Sequence, residues 1–148
     1  MPKYKKITSF RGQYFFLSNF ARSPIVHNGH FYPSAEHLFQ TMKATDDEHR
    51  EYIRTGRDAR EAKYRGRLSP LRDDWEQIKD AIMLLVVLAK FNSNPGLAKK
   101  LKATGNAILI EENYWHDNYW GNCLCANCEN KQPHNMLGRI LMRVRRTL

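Results

Sequence analysis

The chain has 148 residues, of which 42% are hydrophobic and 26% are charged. This length suits a single domain spanning residues 1–148, which would bury about two-thirds of its unfolded surface and fold without disulfides or metal. The composition gives no sign of disorder, and the longest apolar run, residues 81–89, is too short to cross a bilayer. The N-terminal segment lacks the apolar run of a leader sequence. We therefore expect a cytoplasmic protein, monomeric by default, without membrane association.

The net charge of +9 predicts an anionic partner, either nucleic acid or a phosphorylated small molecule. Lysine and arginine concentrate in residues 50–72 and 139–146, where a solvated basic face is the alternative interpretation. The three cysteines fall within residues 123–128, and this odd number in so short a segment does not resemble a disulfide framework. A reducing compartment fits this pattern.

The chain begins with extended segments. Residues 5–17 are aromatic and β-branched, which predicts a short hairpin with Gly12 at its turn. Asn28 and Gly29, flanked by apolar residues, form a strong two-residue signal for a second hairpin. Ser34 is a good N-cap for the helix that follows.

Five further helices follow, predicted at residues 46–55, 57–65, 75–91, 97–103 and 136–146. Gly56 and Gly66 would end the first two of them. Trp75 begins the long third helix, whose broad apolar face assigns it to the core. A short buried strand at residues 108–112 leads into a loop rich in aromatic residues and cysteine, which ends at His134. Loops of this length are usually functional or poorly ordered.

The helix after Ser34 carries two stripes at helical spacing. The first is apolar and contains Ala35, Leu38, Phe39 and Met42. The second, on the shoulder of the first, contains Glu36, Gln40 and Lys43, where an acid, an amide and an amine could meet one small ligand. The alternative is a solvated face with weak pairs between neighbouring turns.

Two carboxylates, Glu36 and Asp117, suit cleavage of a glycosidic bond, because the leaving group needs a proton and the sugar develops positive charge. A lysine whose pKa is lowered by burial, such as Lys43, could instead form a Schiff base with the aldehyde of an opened ribose. Trp120 and Gly121 beside Asp117 could stack on a ring. Sequence spacing does not show whether these groups are close in space.

Seven segments occur in an order that resembles the NADAR superfamily of YbiA-like proteins. They are FLSNF, YPSAEHLFQTMKA, DAREAKYRGR, DWEQIKDAIM, KF, DNYWG and NMLGRILMRVR, between Phe16 and Arg145. The resemblance implies a compact, largely helical α+β fold with a small antiparallel sheet. It implies a hydrolase that cleaves the bond between a ribose and a base-type nitrogen.

Two substrate classes follow from the resemblance, and neither requires a cofactor for catalysis. One consists of phosphoribosyl intermediates of early riboflavin synthesis, and the other of ADP-ribose attached to guanine in nucleic acid. The implied catalytic residues are Glu36 as acid or base, Lys43 as the candidate for covalent catalysis, and Asp117. The implied substrate-binding residues are Ser18, Asn19, Phe20, Gln40, Trp75, Trp120, Gly121 and Asn135.

The cysteine-rich loop departs from the family, in which many members carry a glycine-rich link. Three cysteines with His134, or with His116, could form a structural zinc site that leaves no position open for water. The cysteines are Cys123, Cys125 and Cys128. Their spacing is tighter than in the usual paired zinc knuckles, and free thiols are the alternative.

A second functional class is a nucleic-acid-binding module without enzymatic activity. Its arginines would contact phosphates, and Trp115, Tyr119 and Trp120 would stack on bases. This interpretation explains the charge and the aromatic residues but assigns no role to Glu36 and Asp117.

Overall fold

The computed structural model describes residues 5–148. The first four residues, part of the segment considered above for a leader sequence, lie outside the described residues. The chain divides into two compact units. The central unit is Asn19–Leu97, and the described part of the terminal unit is 5–18 together with Ala98–Leu148.

The central unit begins with an antiparallel hairpin of β1 (Arg22–His27) and β2 (His30–Ser34). Asn28 and Gly29 have φ angles of 50° and 79°. Positive φ at both positions matches the type I′ turn that suits the right-handed twist of the strands. The second predicted hairpin, and with it the small antiparallel sheet, is confirmed.

Helix α1 (Ala35–Lys43) follows the hairpin directly. The Ser34 hydroxyl accepts a hydrogen bond from the His37 backbone N–H at 3.2 Å, which confirms the predicted N-cap. Leu38 and Phe39 are buried, as the apolar stripe predicted. Other faces of α1 are buried too, because strands β1 and β2 and helices α2, α3 and α4 all contact it.

The three helices around α1 are α2 (Asp47–Arg54), α3 (Ala59–Leu68) and α4 (Trp75–Ser93). The prediction that Gly66 ends a helix is wrong, because α3 continues through it. A Cβ atom at Gly66 would lie 2.1 Å from Gln40 Oε1. Gly66 thus serves close packing of α3 against α1 rather than chain reversal.

The terminal unit corrects the first predicted hairpin. Strand β3 (Lys6–Ile7) pairs in parallel with β4 (Ile108–Leu109), and Gly12–Leu17 forms a 3₁₀ helix. Burial of the consecutive residues Phe16 and Leu17 suits a helical turn better than alternating strand faces.

The rest of the terminal unit contains α5 (Pro95–Ala103), which begins at the end of the central unit, and two more short strands. Strands β5 (Glu112–Asn113) and β6 (Asn122–Cys123) pair in parallel. A 3₁₀ turn at Ala126–Cys128 precedes helix α6 (Met136–Arg145). Leu137, Ile140, Leu141 and Val144 of α6 are buried, as predicted. Within residues 5–148, we find no single helix with the length and apolarity needed to cross a membrane.

Candidate active site

The polar stripe of α1 forms a buried cluster in the central unit. Glu36 and Gln40 are 7% and 4% exposed, and Gln40 Nε2 donates to Glu36 Oε1 at 2.7 Å. Lys43, one turn further along α1, is half-buried and interacts electrostatically with Glu36. The structure thus brings together the acid, amide and amine that the sequence placed on one helix shoulder. It excludes the solvated-face alternative for Glu36 and Gln40.

Burial displaces the pKa values of the two ionisable groups toward each other. Burial raises the pKa of Glu36 above its usual 4.5, against the opposing effects of the Gln40 hydrogen bond and nearby positive charges. Burial lowers the pKa of Lys43 below its usual 10.5, while the Glu36 charge opposes this shift. Both shifts favour the neutral forms, a protonated carboxyl and a free amine, which are the forms used in acid and nucleophilic catalysis.

Two aromatic rings flank the amine of Lys43. Its Nζ lies 5.2 Å from the ring centroid of Phe39 and 5.5 Å from that of Trp75. The two rings meet edge to face, with centroids 5.2 Å apart. Trp75 is 7% exposed, so the assignment to the core is confirmed, and its contact with Lys43 also places it beside the cluster.

Helix α3 adds two cations next to the same cluster. The charges of Lys63 and Arg67, one turn apart, act on both Glu36 and Lys43. Lys63 Nζ also lies 5.8 Å from the ring centroid of Phe20, which is 39% exposed. Sequence reasoning noted a basic segment here but missed these two residues individually, because their approach to α1 depends on how α3 packs.

Asn19 supports the start of α1. Its backbone carbonyl accepts from the Glu36 N–H at 3.0 Å, and its side-chain Nδ2 lies 3.3 Å from Met83 Sδ. Among the described residues, Asn19 Oδ1 and Gln40 Oε1 are buried side-chain acceptors with no hydrogen-bond partner. A buried acceptor of this kind is costly unless a partner satisfies it, and the donor groups of a ligand can do so. Ser18, in the terminal unit, ends the first 3₁₀ helix.

Helix α4 carries a second buried amine, that of Lys90. In the sequence this residue stands out only as part of the KF segment. Lys90 is 1% exposed, and burial lowers its pKa to about 7. Its Nζ lies 5.3 Å from the ring centroid of Phe91. Lys43 is far more accessible, so Lys43 remains the better candidate for attack on a substrate.

In the terminal unit, Asp117 organises the turn that carries Trp120. Asp117 Oδ1 accepts from the backbone N–H groups of Tyr119 at 3.1 Å and Trp120 at 2.8 Å. Trp120 and Tyr119 also pack edge to face, with ring centroids 4.8 Å apart. One oxygen of this carboxylate is therefore engaged in local structure, and the catalytic role of Asp117 stays a prediction.

Gly121 and Asn135 also position backbone in the terminal unit. A Cβ atom at Gly121 would lie 2.2 Å from the Glu111 carbonyl oxygen, so only glycine fits there. Asn135 Nδ2 donates to the Leu109 carbonyl at 2.9 Å, and its Oδ1 accepts from the Glu111 N–H at 3.1 Å. Substrate contacts for these two residues, as for Trp120 and Ser18, stay predictions.

The cysteine-rich loop forms a Cys/His cluster that could hold a metal ion. Its donor atoms all lie within 4.8 Å of one another, and they belong to His116, Cys123, Cys125 and Cys128. The structure corrects the choice of His134. The ring of His134 packs against Tyr119 with centroids 5.7 Å apart, and its backbone N–H donates to Asn118.

Comparison with known proteins places this arrangement in a family. The model of the NADAR domain matches residues 6–148, which is nearly the whole chain. The chain therefore belongs to the NADAR domain family. This confirms the family predicted from the seven sequence segments.

Several relatives carry functional names. N-glycosidase YbiA of Escherichia coli strain K12 is 37% identical over 134 residues, covering 89% of this chain and 80% of that protein. N-glycosidase Npun_R5314 of Nostoc punctiforme is 34% identical, covering 87% and 82%. Riboflavin biosynthesis protein VVA0006 of Vibrio vulnificus is 36% identical, but the match spans only 35% of its length.

The solved structure of E. coli YbiA, determined by NMR, has the same fold. It superposes with a TM-score of 0.82 at 34% sequence identity and covers 99% of this chain and 86% of that chain. The predicted largely helical α+β fold is thus confirmed. The predicted enzyme class, a hydrolase of N-glycosyl bonds, agrees with the names of the N-glycosidase relatives.

Proposed function

We propose that this protein is an N-glycosidase that hydrolyses the bond between a phosphorylated ribose and a base-type nitrogen. The observation that carries the proposal is that the buried Glu36 and the half-buried Lys43 act on each other electrostatically on α1, and that burial favours the neutral form of each group. Membership of the NADAR family and the N-glycosidase names of relatives support the same reaction class.

Glu36 acts as the general acid. When the bond between C1′ and nitrogen breaks, its electron pair moves to the nitrogen, which takes the proton of the Glu36 carboxyl. A raised pKa keeps this carboxyl protonated at a higher pH than an exposed glutamate. Gln40 positions the carboxyl through its 2.7 Å hydrogen bond.

Lys43 captures the oxocarbenium ion left on the sugar. Its neutral amine forms a bond to C1′, and one amine proton passes to the ring oxygen as the C1′–O4′ bond opens, which leaves an iminium ion. Water then adds to the iminium carbon and releases the amine and the sugar aldehyde, which recloses to ribose. The lowered pKa of Lys43 makes the free amine more available at a given pH than it is in an exposed lysine.

Lys63 and Arg67 bind the phosphate of the substrate. Their charges already act on Glu36 and Lys43, so an anion held by them lies beside the reacting groups. Phe20, exposed next to Lys63, offers an aromatic face for the base. The reaction proposed for these residues uses no cofactor.

Two substrates share the chemistry required. Relatives named as riboflavin biosynthesis proteins favour a phosphoribosylamino-pyrimidine. The net charge of +9 favours ADP-ribose on guanine in nucleic acid. Both carry phosphorylated ribose on nitrogen, so both belong in the first experiment.

The test measures hydrolysis of an ADP-ribosylated guanine oligonucleotide and of a phosphoribosylamino-pyrimidine by wild type, Glu36→Gln and Lys43→Met. We expect turnover of at least one substrate, with kcat/KM reduced about a hundredfold or more in each variant. Exposed Glu48→Gln and Lys102→Met serve as matched controls and should retain wild-type rates.

Borohydride added during turnover should reduce the iminium ion and attach the sugar to the peptide containing Lys43, read by mass spectrometry. Attachment at Lys90 would refute the assignment of the nucleophile. Absence of turnover on both substrates, with salt-sensitive binding to unmodified nucleic acid, would refute the glycosidase and favour a binding module.

A further inference from the structure

Four side chains of types that ligate metals converge at the cysteine-rich loop, and none of them belongs to the Glu36 cluster. His116 Nδ1 lies 3.3 Å from Cys125 Sγ and 3.4 Å from Cys128 Sγ. All four donor atoms, including Cys123 Sγ, fall within 4.8 Å of one another. The cluster therefore offers one nitrogen and three sulfur donors that are close enough together to bind a single metal ion.

These separations fit tetrahedral coordination. With Zn–S of about 2.3 Å and Zn–N of about 2.1 Å, the donors of a tetrahedral site lie roughly 3.6 to 3.8 Å apart. A disulfide would instead bring two sulfurs to about 2.05 Å, and all three cysteines are free thiols. Three soft sulfur donors with one imidazole select zinc over hard cations such as Mg²⁺ or Ca²⁺.

The backbone around the four residues is shaped to bring them together. His116 adopts a left-handed conformation with φ of 70°, which is uncommon for a residue other than glycine. The carbonyl oxygen of the buried Asn113 side chain accepts from the N–H groups of Trp115 at 3.3 Å and Asp117 at 3.2 Å, on either side of His116. The conformation of His116 is thus held by its neighbours.

Further hydrogen bonds reach the sulfur donors. The His116 backbone N–H points to Cys123 Sγ at 3.2 Å, a contact that suits a thiolate. Asn118 Oδ1 accepts from the Cys123 N–H at 2.9 Å and holds the end of β6. Cys123 and Cys128 are buried although this loop contributes few large apolar side chains to a core. A metal ion would supply the cross-link that the loop otherwise lacks.

We propose that His116, Cys123, Cys125 and Cys128 bind one zinc ion in a closed, four-coordinate structural site. The site fastens the segment between β5 and β6, which carries Asp117 and Trp120, to the turn that contains Cys125 and Cys128. Because four protein ligands complete a tetrahedron, no position is left for a water nucleophile, and zinc takes no part in bond cleavage.

The test determines zinc in the protein purified without added metal, by elemental mass spectrometry, and records the spectrum after replacement with Co²⁺. We expect about one zinc per chain and the thiolate-to-cobalt charge-transfer and tetrahedral ligand-field bands of a sulfur-rich site. A chelator strong enough to remove the metal should lower the thermal unfolding midpoint.

The variants Cys125→Ser and His116→Ala should bind zinc at least about tenfold more weakly, and His134→Ala should bind it as wild type does. Cys125 and His116 are the least buried of the four ligands, so their substitution is the least disruptive to packing. If these variants misfold, titration of thiols in the folded wild type gives the answer, because bound zinc protects all three cysteines until chelator is added.

Folded protein that is purified without metal and has three reactive thiols before any chelator is added would overturn the proposal, as would iron in place of zinc or loss of zinc only in His134→Ala. These readouts do not depend on glycosidase activity. The zinc site and the proposed function can therefore fail separately.

Discussion

At the scale of single residues, burial determines which groups of this protein are chemically unusual. Glu36 and Lys43 lie on one helix, two turns apart, and each loses water that would stabilise its charged form. Attraction between the two charges opposes this effect, but for both groups burial is the larger cause. The pair therefore resembles the acid and nucleophile of an enzyme more than a surface ion pair.

His37, between Glu36 and Leu38, shows the opposite outcome for a buried titratable group. Its Nε2 lies 2.8 Å from the Gly56 carbonyl, and its Nδ1 lies 2.7 Å from the Ser34 hydroxyl. The carbonyl can only accept, so Nε2 carries the hydrogen and neutral Nδ1 accepts from Ser34. His37 is a satisfied core residue that ties α1 to the end of α2.

Burial lowers the pKa of His37 below its usual 6.5, so acid should destabilise the protein through this residue. Below about pH 6.5 the unfolded chain binds a proton at His37 that the folded chain does not, until pH falls through the folded pKa. We expect the free energy of unfolding to decline with falling pH in this window, and His37→Gln to remove that part of the decline.

Denaturant unfolding of wild type and His37→Gln across pH 5 to 8 gives the free energy of unfolding at each pH. The effect is the difference between the two proteins in the slope of this free energy against pH. His49→Gln is the matched control, because His49 is more exposed and pairs with Asp46. Parallel pH profiles for wild type and His37→Gln would contradict the assignment.

At the scale of elements, the packing of α3 against α1 depends on Gly66. Gln40 occupies the space that a side chain at Gly66 would need. This explains a glycine inside a helix, where it otherwise costs about 1 kcal/mol relative to alanine. The same close approach holds the Gln40 amide against Glu36.

Gly66→Ala should therefore lower activity more than stability. The added methyl group would displace Gln40 from Glu36, and an overpacking cost of about 1 to 3 kcal/mol would be offset in part by about 1 kcal/mol of helix propensity. Gly96→Ala in α5 is the control, since a Cβ atom there meets nothing within 4 Å.

Denaturant unfolding and kcat/KM on the preferred substrate are measured for both variants. We expect Gly96→Ala to equal or slightly exceed wild type in stability, with unchanged activity. A Gly66→Ala protein with the stability and activity of Gly96→Ala would show that the contact with Gln40 is unimportant.

At the scale of the whole molecule, the net charge of +9 predicts that activity depends on salt to a different extent for the two substrate classes. Binding to single-stranded nucleic acid should weaken with a slope of about −0.7 in log affinity per log salt for each phosphate contacted. For about three or more contacts, kcat/KM on the ADP-ribosylated oligonucleotide should fall tenfold or more between about 50 and about 200 mM salt.

The phosphoribosylamino-pyrimidine should show a clearly shallower dependence, because it offers one phosphate rather than a strand. Arg60→Gln, which removes an exposed charge of α3, should affect only the oligonucleotide. Equal salt slopes for the two substrates would mean that the strand is not contacted beyond its modified nucleotide.

Local signals in the sequence determined several features of the protein. The Asn28-Gly29 turn, the Ser34 N-cap and the acid, amide and amine stripe of α1 were all predictable, because each depends on residues within two turns of one another. The ordered motifs from Phe16 to Arg145 also predicted the family and, through it, the fold.

Features that depend on distant parts of the chain were decided only by the tertiary structure. The partner of the strand at Lys6–Ile7 lies about a hundred residues away, so the local pattern wrongly predicted a hairpin. The role of Gly66 required the position of Gln40, and the choice of His116 over His134 required the left-handed turn at His116. Glu36 is buried on a helix that three other helices contact, and the local pattern does not specify those contacts. A sequence pattern specifies which face a residue occupies, but only packing specifies what lies opposite that face.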